Sequence, residues 1–155
     1  MQTLAIIKPD AVASGKTGLI LAHLQEAGFT LQAARLVRLT LPQAEAFYGV
    51  HKGRPFFAEL VSFMTSGPCM PLALRRADAV PQLRTVIGAT DPAEAAAGTI
   101  RKLYAESKGR NAIHASDSDE NAAREIAFFF TEGELAALGG HAGDPDRASG
   151  RQSER

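Results

Sequence analysis

A chain of 155 residues, 45% of them hydrophobic, is sized for one domain with a single core that needs no staples. Lys plus Arg number 17 and Asp plus Glu number 17, leaving zero formal charge, which argues against a general electrostatic partner such as nucleic acid or a membrane surface. Cys69 is the one cysteine, so an internal disulfide is excluded, a reducing compartment is indicated, and the thiol reads as a small buried hydrophobe. No run approaches the ~18 apolar residues of a membrane span, and the N-terminus carries no signal-like apolar core, so a soluble cytoplasmic protein is expected.

Residues 3–7 form a short apolar run stopped by Lys8-Pro9-Asp10 and read as a buried strand. Leu19, Ile20, His23, Leu24 and Ala27 recur at helical spacing, with Gly28 placed to end the helix. Residues 29–39 read as a second strand region, although Arg35 and Arg38 break its alternation. Residues 42–50, with Pro42 in the first turn, and 55–63, with Phe56, Phe57, Leu60 and Phe63 on a broad face, predict two helices. A third strand at 70–74 follows Gly67-Pro68, then a helix at 77–87, an Ala-rich loop at 88–98, a fourth strand at 112–115 and a helix at 118–130.

This order predicts an α+β, ferredoxin-like split βαβ plan: a four-stranded antiparallel sheet flanked by helices. Residues 1–138 would form that domain. From Gly139 the chain reads GGHAGDPDRASGRQSER, without apolar periodicity, and residues 139–155 are expected to be a disordered or loosely attached tail.

Ser14-Gly15-Lys16-Thr17 mimics the end of a phosphate loop, but that motif needs a glycine where Asp10 stands. A carboxylate there would repel phosphate, and a polar turn into the first helix is the better reading. The stretch Asn111-Ala112-Ile113-His114-Ala115-Ser116-Asp117-Ser118 carries more. A histidine ends an apolar run and is followed at once by helix-starting residues. Ser116 or Ser118 can cap free N–H groups, and Asp119 and Glu120 suit the positive end of a helix. An imidazole beside a helix start is placed to meet phosphate and is a competent nucleophile. Lys8, Arg84, Thr90, Arg101 and Asn111 are further phosphate-competent residues, each an ordinary surface residue if taken alone. His23, His51 and His141 have no supporting neighbours and read as structural or exposed.

From residue 3 to about 138 the chain resembles nucleoside diphosphate kinase. The motifs are Ile7-Lys8-Pro9-Asp10, Arg54-Pro55-Phe56-Phe57, Ser66-Gly67-Pro68, Gly88-Ala89-Thr90-Asp91-Pro92, Gly98-Thr99-Ile100-Arg101 and the stretch from Asn111 to Ser118, in that family's order and near its spacing. The resemblance implies transfer of a nucleoside triphosphate's terminal phosphate to a nucleoside diphosphate by a ping-pong phosphohistidine route. It implies His114 as nucleophile and Lys8 as ligand of the ribose and the transferring phosphate. Tyr48 would lie near that phosphate, Phe56 against the base, Arg84, Thr90 and Arg101 on the phosphates, and Asn111 on the sugar hydroxyl, with Ser116 and Glu125 orienting the imidazole.

Mg²⁺ would enter with the nucleotide; Asp117 could reach it through water, and no direct protein ligand is expected. The partners implied are nucleoside di- and triphosphates and further copies of the chain, as a tetramer or hexamer, with no membrane and no nucleic acid. Ala115 stands where the family usually has glycine, which predicts backbone strain beside His114 if the angles there are unusual. That departure and the tail, which has no counterpart in the family pattern, support an alternative, a weakened nucleotide-binding or regulatory member of the same fold. A nucleic-acid-binding module is motivated by Arg75-Arg76 and the split βαβ plan, against which the zero charge and the missing aromatic strand motif weigh.

Overall fold

The structure is a computed structural model that describes residues 1–138. The expected tail, 139–155, lies outside the described residues. Strands β1 (Gln2–Ile7), β2 (Thr30–Ala34), β3 (Met70–Arg75) and β4 (Ile113–Ala115) form one sheet in the order β2-β3-β1-β4. Each neighbouring pair is antiparallel. The first crossover, from β1 to β2, is made by α1 (Pro9–Ala13) and α2 (Thr17–Glu26); the connection from β3 to β4 contains α5 (Ala79–Ile87) and α6 (Ile100–Tyr104). Between β2 and β3 stand α3 (Leu41–Phe47) and α4 (Phe57–Met64), and α7 (Asp119–Phe129) and α8 (Glu132–Leu138) follow β4. This is the ferredoxin-like plan expected from the element order.

Period-2 alternation sorts the sheet into two cores. Ala5, Ile7, Leu72, Leu74, Ile113 and Ala115 face the side covered by α2, α5 and α6. Leu4, Ile6 and Ala73 face the other, beneath α3, α4 and α7. β1 is central and buried on both faces, so its sequence reads as a continuous apolar run. β4 is an edge strand of only three residues, and its register pairs His114 with Ile6. His114 therefore points away from Ile113 and Ala115, toward α3 and α7.

Several short elements depart from the sequence expectation. Lys8-Pro9-Asp10 not only stops β1 but starts α1, with Pro9 supplying a preset φ at the first turn and the Lys8 carbonyl accepting from Ala11 and Val12. β2 ends at Ala34, with a register shift inside it between Leu31 and Ala33; beyond it, Val37 meets Cys69 in an isolated bridge. The bulge puts Leu31 and Ala33 in different cores, and Arg35 and Arg38 lie past the strand's end. α3 stops at Phe47 and one tight turn of 3-10 helix, Gly49–His51, follows. Its start is set by a capping box of Thr40 and Gln43. α6 and α8 are five and seven residues long, too short to show a helical period in sequence. Gly28 has φ +92, the left-handed turn expected just past α2.

Candidate active site

One cleft of about 430 Å³ opens at the end of the sheet where β1 stops and β4 begins. Lys8, Tyr48, Phe56, Arg84, Thr90, Arg101, Asn111, His114 and Glu125 all line it. Ser116 lies beneath them, fully buried. Residues separated by over a hundred positions thus meet because β1 and β4 are neighbours and α5, α6 and α7 present residues to the same cleft.

His114 is held by α7. Ser118 caps that helix by accepting from the Asn121 N–H, which sets its first turn and points buried Glu125 back toward β4. His114 Nε2 lies 2.5 Å from Glu125 Oε1, and Ser116 donates from Oγ to the same oxygen at 3.2 Å. A carboxylate at Nε2 selects the tautomer with its proton there, leaving the lone pair on Nδ1. Nδ1 has no hydrogen-bond partner among the described residues. The rings of Phe47 and Tyr48 stand edge-on to the imidazole at 5.4 and 6.0 Å. Burial pushes the His114 pKa below its usual value, and the nearby Lys8 and Arg101 charges add to this, while the Glu125 bond opposes them. The ring is therefore neutral, hence nucleophilic, at pH 7.

The cations are buried by unequal degrees. Lys8 Nζ donates to Asn111 Oδ1 at 2.8 Å, and the Asn111 amide nitrogen donates to the Thr90 carbonyl at 3.4 Å. Burial, aided by Arg101, lowers Lys8 to about 8, with Asp10 pulling the other way. Arg101 donates to the Gly88 carbonyl at 3.0 Å and the Ile113 carbonyl at 2.7 Å, while its Nε is buried without a partner. Burial lowers Arg101 to about 10, which leaves it charged at neutral pH. Arg84 is exposed and makes only a long contact to the Ala115 carbonyl at 3.5 Å. The phenol of Tyr48 is buried and unpartnered, and burial raises its pKa, so it stays protonated.

Gly88 ties α5 to α6. It has φ +89, and a Cβ there would sit 2.5 Å from Thr99 Oγ1, the atom that caps α6. Only glycine lets the Gly88 carbonyl reach Arg101 at this packing distance.

The strain expected at Ala115 is elsewhere. Ala115 is an ordinary strand residue paired with Ala5. Ala112, three residues earlier, has φ +73, and the Ile113 N–H closes a three-residue turn onto the Asn111 carbonyl at 2.9 Å. A γ-turn of this hand is rare, and a non-glycine residue held in such a conformation costs on the order of 1–3 kcal/mol. The sequence offered no glycine at that point to betray it.

Sequence reasoning also passed over residues that the cleft includes. His51, read as structural or exposed, lines it with its ring 5.3 Å from that of Phe56. Asn121 and Arg124 line the α7 wall. The helical spacing of Asn121, Arg124 and Glu125 was the available signal. Phe57 packs partly buried against the α3–α4 core, while Phe56 is 47% exposed at the cleft mouth.

Mg²⁺ fits this donor set as a companion of phosphate. Among the described residues no cluster of three or more His, Cys, Asp or Glu could hold a metal by itself. Asp117 is the one cleft carboxylate not engaged with His114, and the Asn121 amide bonded to it at 2.6 Å keeps it ionised, its pKa below the usual range. One carboxylate with substrate phosphates and water is the common protein contribution to Mg²⁺. No helix of the described residues is long and apolar enough to cross a membrane.

The family model of nucleoside diphosphate kinase matches residues 1–135. The chain is 56% identical over 137 residues to the nucleoside diphosphate kinase of Chlorobaculum parvum, covering 88% of this chain and 98% of that one. Among solved structures, the nucleoside diphosphate kinase of Aquifex aeolicus superposes with a TM-score of 0.84 at 46% identity, over 86% of this chain and 96% of that one. That of Halobacterium salinarum, in complex with CDP, superposes with a TM-score of 0.82 at 40% identity, over 86% and 90%.

Proposed function

Because the chain belongs to the nucleoside diphosphate kinase family, and is thus a phosphotransferase acting on nucleotides, we propose that His114 carries the transferred group. Nδ1 attacks the terminal phosphorus of a nucleoside triphosphate. The N–P bond forms as the bond to the bridging oxygen breaks, and that oxygen leaves with the electron pair on the nucleoside diphosphate. A second nucleoside diphosphate then enters the same cleft and its terminal oxygen displaces His114. Nε2 keeps its proton throughout. The Glu125 carboxylate offsets the positive charge that the ring acquires on phosphorylation.

The observation that carries this reading is the 2.5 Å pair between His114 Nε2 and Glu125 Oε1. It turns the lone pair onto the nitrogen without a protein partner, inside a cleft rimmed by Lys8, Arg84 and Arg101. Phosphoryl transfer depends mainly on positioning and on charge stabilisation, and these cations supply both. Asn111, presented beside Lys8, would bond the sugar, Thr90 and Arg84 the phosphates, and Phe56 would stack on the base. Stacking is nearly blind to base identity, which suits an enzyme that handles many nucleotides. The CDP bound by the Halobacterium relative supports a nucleoside diphosphate as occupant. Mg²⁺, held through water by Asp117, would neutralise phosphate charge. The same reading includes a homo-oligomer, a tetramer or hexamer, in the cytoplasm. Light scattering that returned a monomer would overturn the oligomer.

Intact mass after exposure to ATP tests the nucleophile. One added phosphoryl group, labile to acid and missing in His114→Ala, is expected. A wild-type chain that takes up none, or a variant that still does, would overturn the assignment. The weakened-member alternative drew on Ala115 and on the tail; Ala115 carries no left-handed φ, and the tail lies outside the described residues.

A further inference from the structure

The corner formed by Lys8, Pro9 and Asp10 does more than end a strand. Ala112 sits at φ +73 with both its peptide groups bonded to that corner. Its N–H donates to Asp10 Oδ2 at 3.1 Å, and its carbonyl accepts from the Lys8 N–H at 2.9 Å. Asp10 is 4% exposed and Ala112 fully buried, so no water substitutes readily for either bond. The other Asp10 oxygen, Oδ1, is buried without a partner. A buried carboxylate with one unused oxygen is retained here for a single acceptor role.

What the corner holds is the spacing of two site residues. Asn111 precedes Ala112 and His114 follows it by two. The turn at Ala112 lets Asn111 bend back to Lys8 Nζ while His114 stays in register with Ile6. Relaxing Ala112 to a negative φ would rotate Asn111 away from Lys8 relative to the β4 ladder. We propose that Asp10 is a positioning residue for phosphoryl transfer, whose carboxylate holds the strained turn at Ala112 and thereby sets the Asn111 sugar site against the His114 nucleophile. The proposal rests on the reading of His114 given above.

The role makes an unusual prediction, because glycine adopts φ +73 without cost. Asp10→Ala should remain folded by circular dichroism yet form the phosphoenzyme from ATP about 30-fold more slowly and bind nucleoside diphosphate more weakly. Adding Ala112→Gly should return both to within about threefold of wild type, although it restores no contact made by Asp10. Asp10→Asn keeps an acceptor oxygen and places its amide where Oδ1 is unpaired, so it should rescue to a similar level at pH 7. A folded Asp10→Ala that phosphorylates at the wild-type rate overturns the proposal, as does a double variant no better than the single one. Should Asp10→Ala fail to fold, Asp10→Asn still decides: a folded Asp10→Asn with more than a tenfold loss overturns the acceptor role. A wild-type chain that takes up no phosphoryl group would instead defeat the reading of His114, so the two failures are distinct.

Discussion

The two ends of the cleft are built on opposite terms. At the inner end, Lys8, Arg101, Asn111 and Glu125 are buried and bonded to partners on different elements, and His114 is fixed by a carboxylate and two aromatic edges. At the outer end, Phe56 and Val50 are 47% and 64% exposed and stand, with His51, on a turn of 3-10 helix and the loop after it. The inner end is pre-organised, so its geometry is settled before substrate arrives and no reorganisation is needed as charge develops. The outer end contributes apolar area without directional bonds. On the proposed reading, selectivity for phosphate and tolerance of the base would follow from how tightly each end is tied to the sheet.

The sharpest way to break this contrast is at Glu125. Glu125→Ala should lower kcat by roughly 10²-fold with little change in KM, because the ring loses both its tautomer and its counter-charge; steady-state kinetics check this, and a KM effect without a kcat effect would place Glu125 at the binding end instead. Gly88→Ala should come next. Its Cβ collides with Thr99 at a left-handed φ, so a loss of about 2 kcal/mol or more is expected, seen as a fall in Tm, with weaker nucleotide binding as Arg101 shifts. Phe56→Ala acts at the loose end. With half its ring already in water, the loss should be about 1 kcal/mol, a roughly fivefold rise in KM, similar for purine and pyrimidine substrates and with kcat unchanged.

The smallest effects sharpen the comparison through pH. Lys8 is pushed down to about 8 by burial, so its charge fades as pH rises through 8 and kcat/KM should fall on an alkaline limb. Stability runs the opposite way. The folded state disfavours the charged amine, so the penalty on folding lessens from pH 8 toward 10 as the amine loses its proton. Lys8→Met should therefore be more stable than wild type at pH 7, and the gap in Tm should narrow above pH 8. His114, also lowered by burial, resists protonation in the fold. Its contribution to stability is lost as pH falls below its unfolded value near ~6.5, and His114→Gln should lessen the acid sensitivity of Tm.

Much of this architecture could be read before any coordinates. The run at 3–7, the spacing of Leu19, Ile20 and Leu24, and Gly28 located β1 and α2, because a buried strand and an amphipathic helix write their periods into contiguous residues. Ser118 was legible as the cap before α7, whereas Glu125, two helical turns further on, was pointed to by the family resemblance. α6, α8 and the bulge in β2 were not, since five to seven residues or one inserted residue leave no period to detect. Asp10 reads in sequence as part of a strand-ending turn and a family motif, and as a charge that would repel phosphate, whereas the fold uses it as a hydrogen-bond acceptor.

What the chain alone determined was a set of residue types and local elements: a neutral composition, four apolar runs, a histidine ahead of a capped helix, and a scatter of cations. Their meeting was decided by tertiary structure, through the antiparallel pairing of β1 with β4 that carries Lys8 to Asn111 across 103 positions. So was the place of strain, which fell on Ala112 and not on Ala115. A backbone angle of that kind is imposed by bonds from a distant corner of the fold, and distant bonds leave no mark on the residues between them.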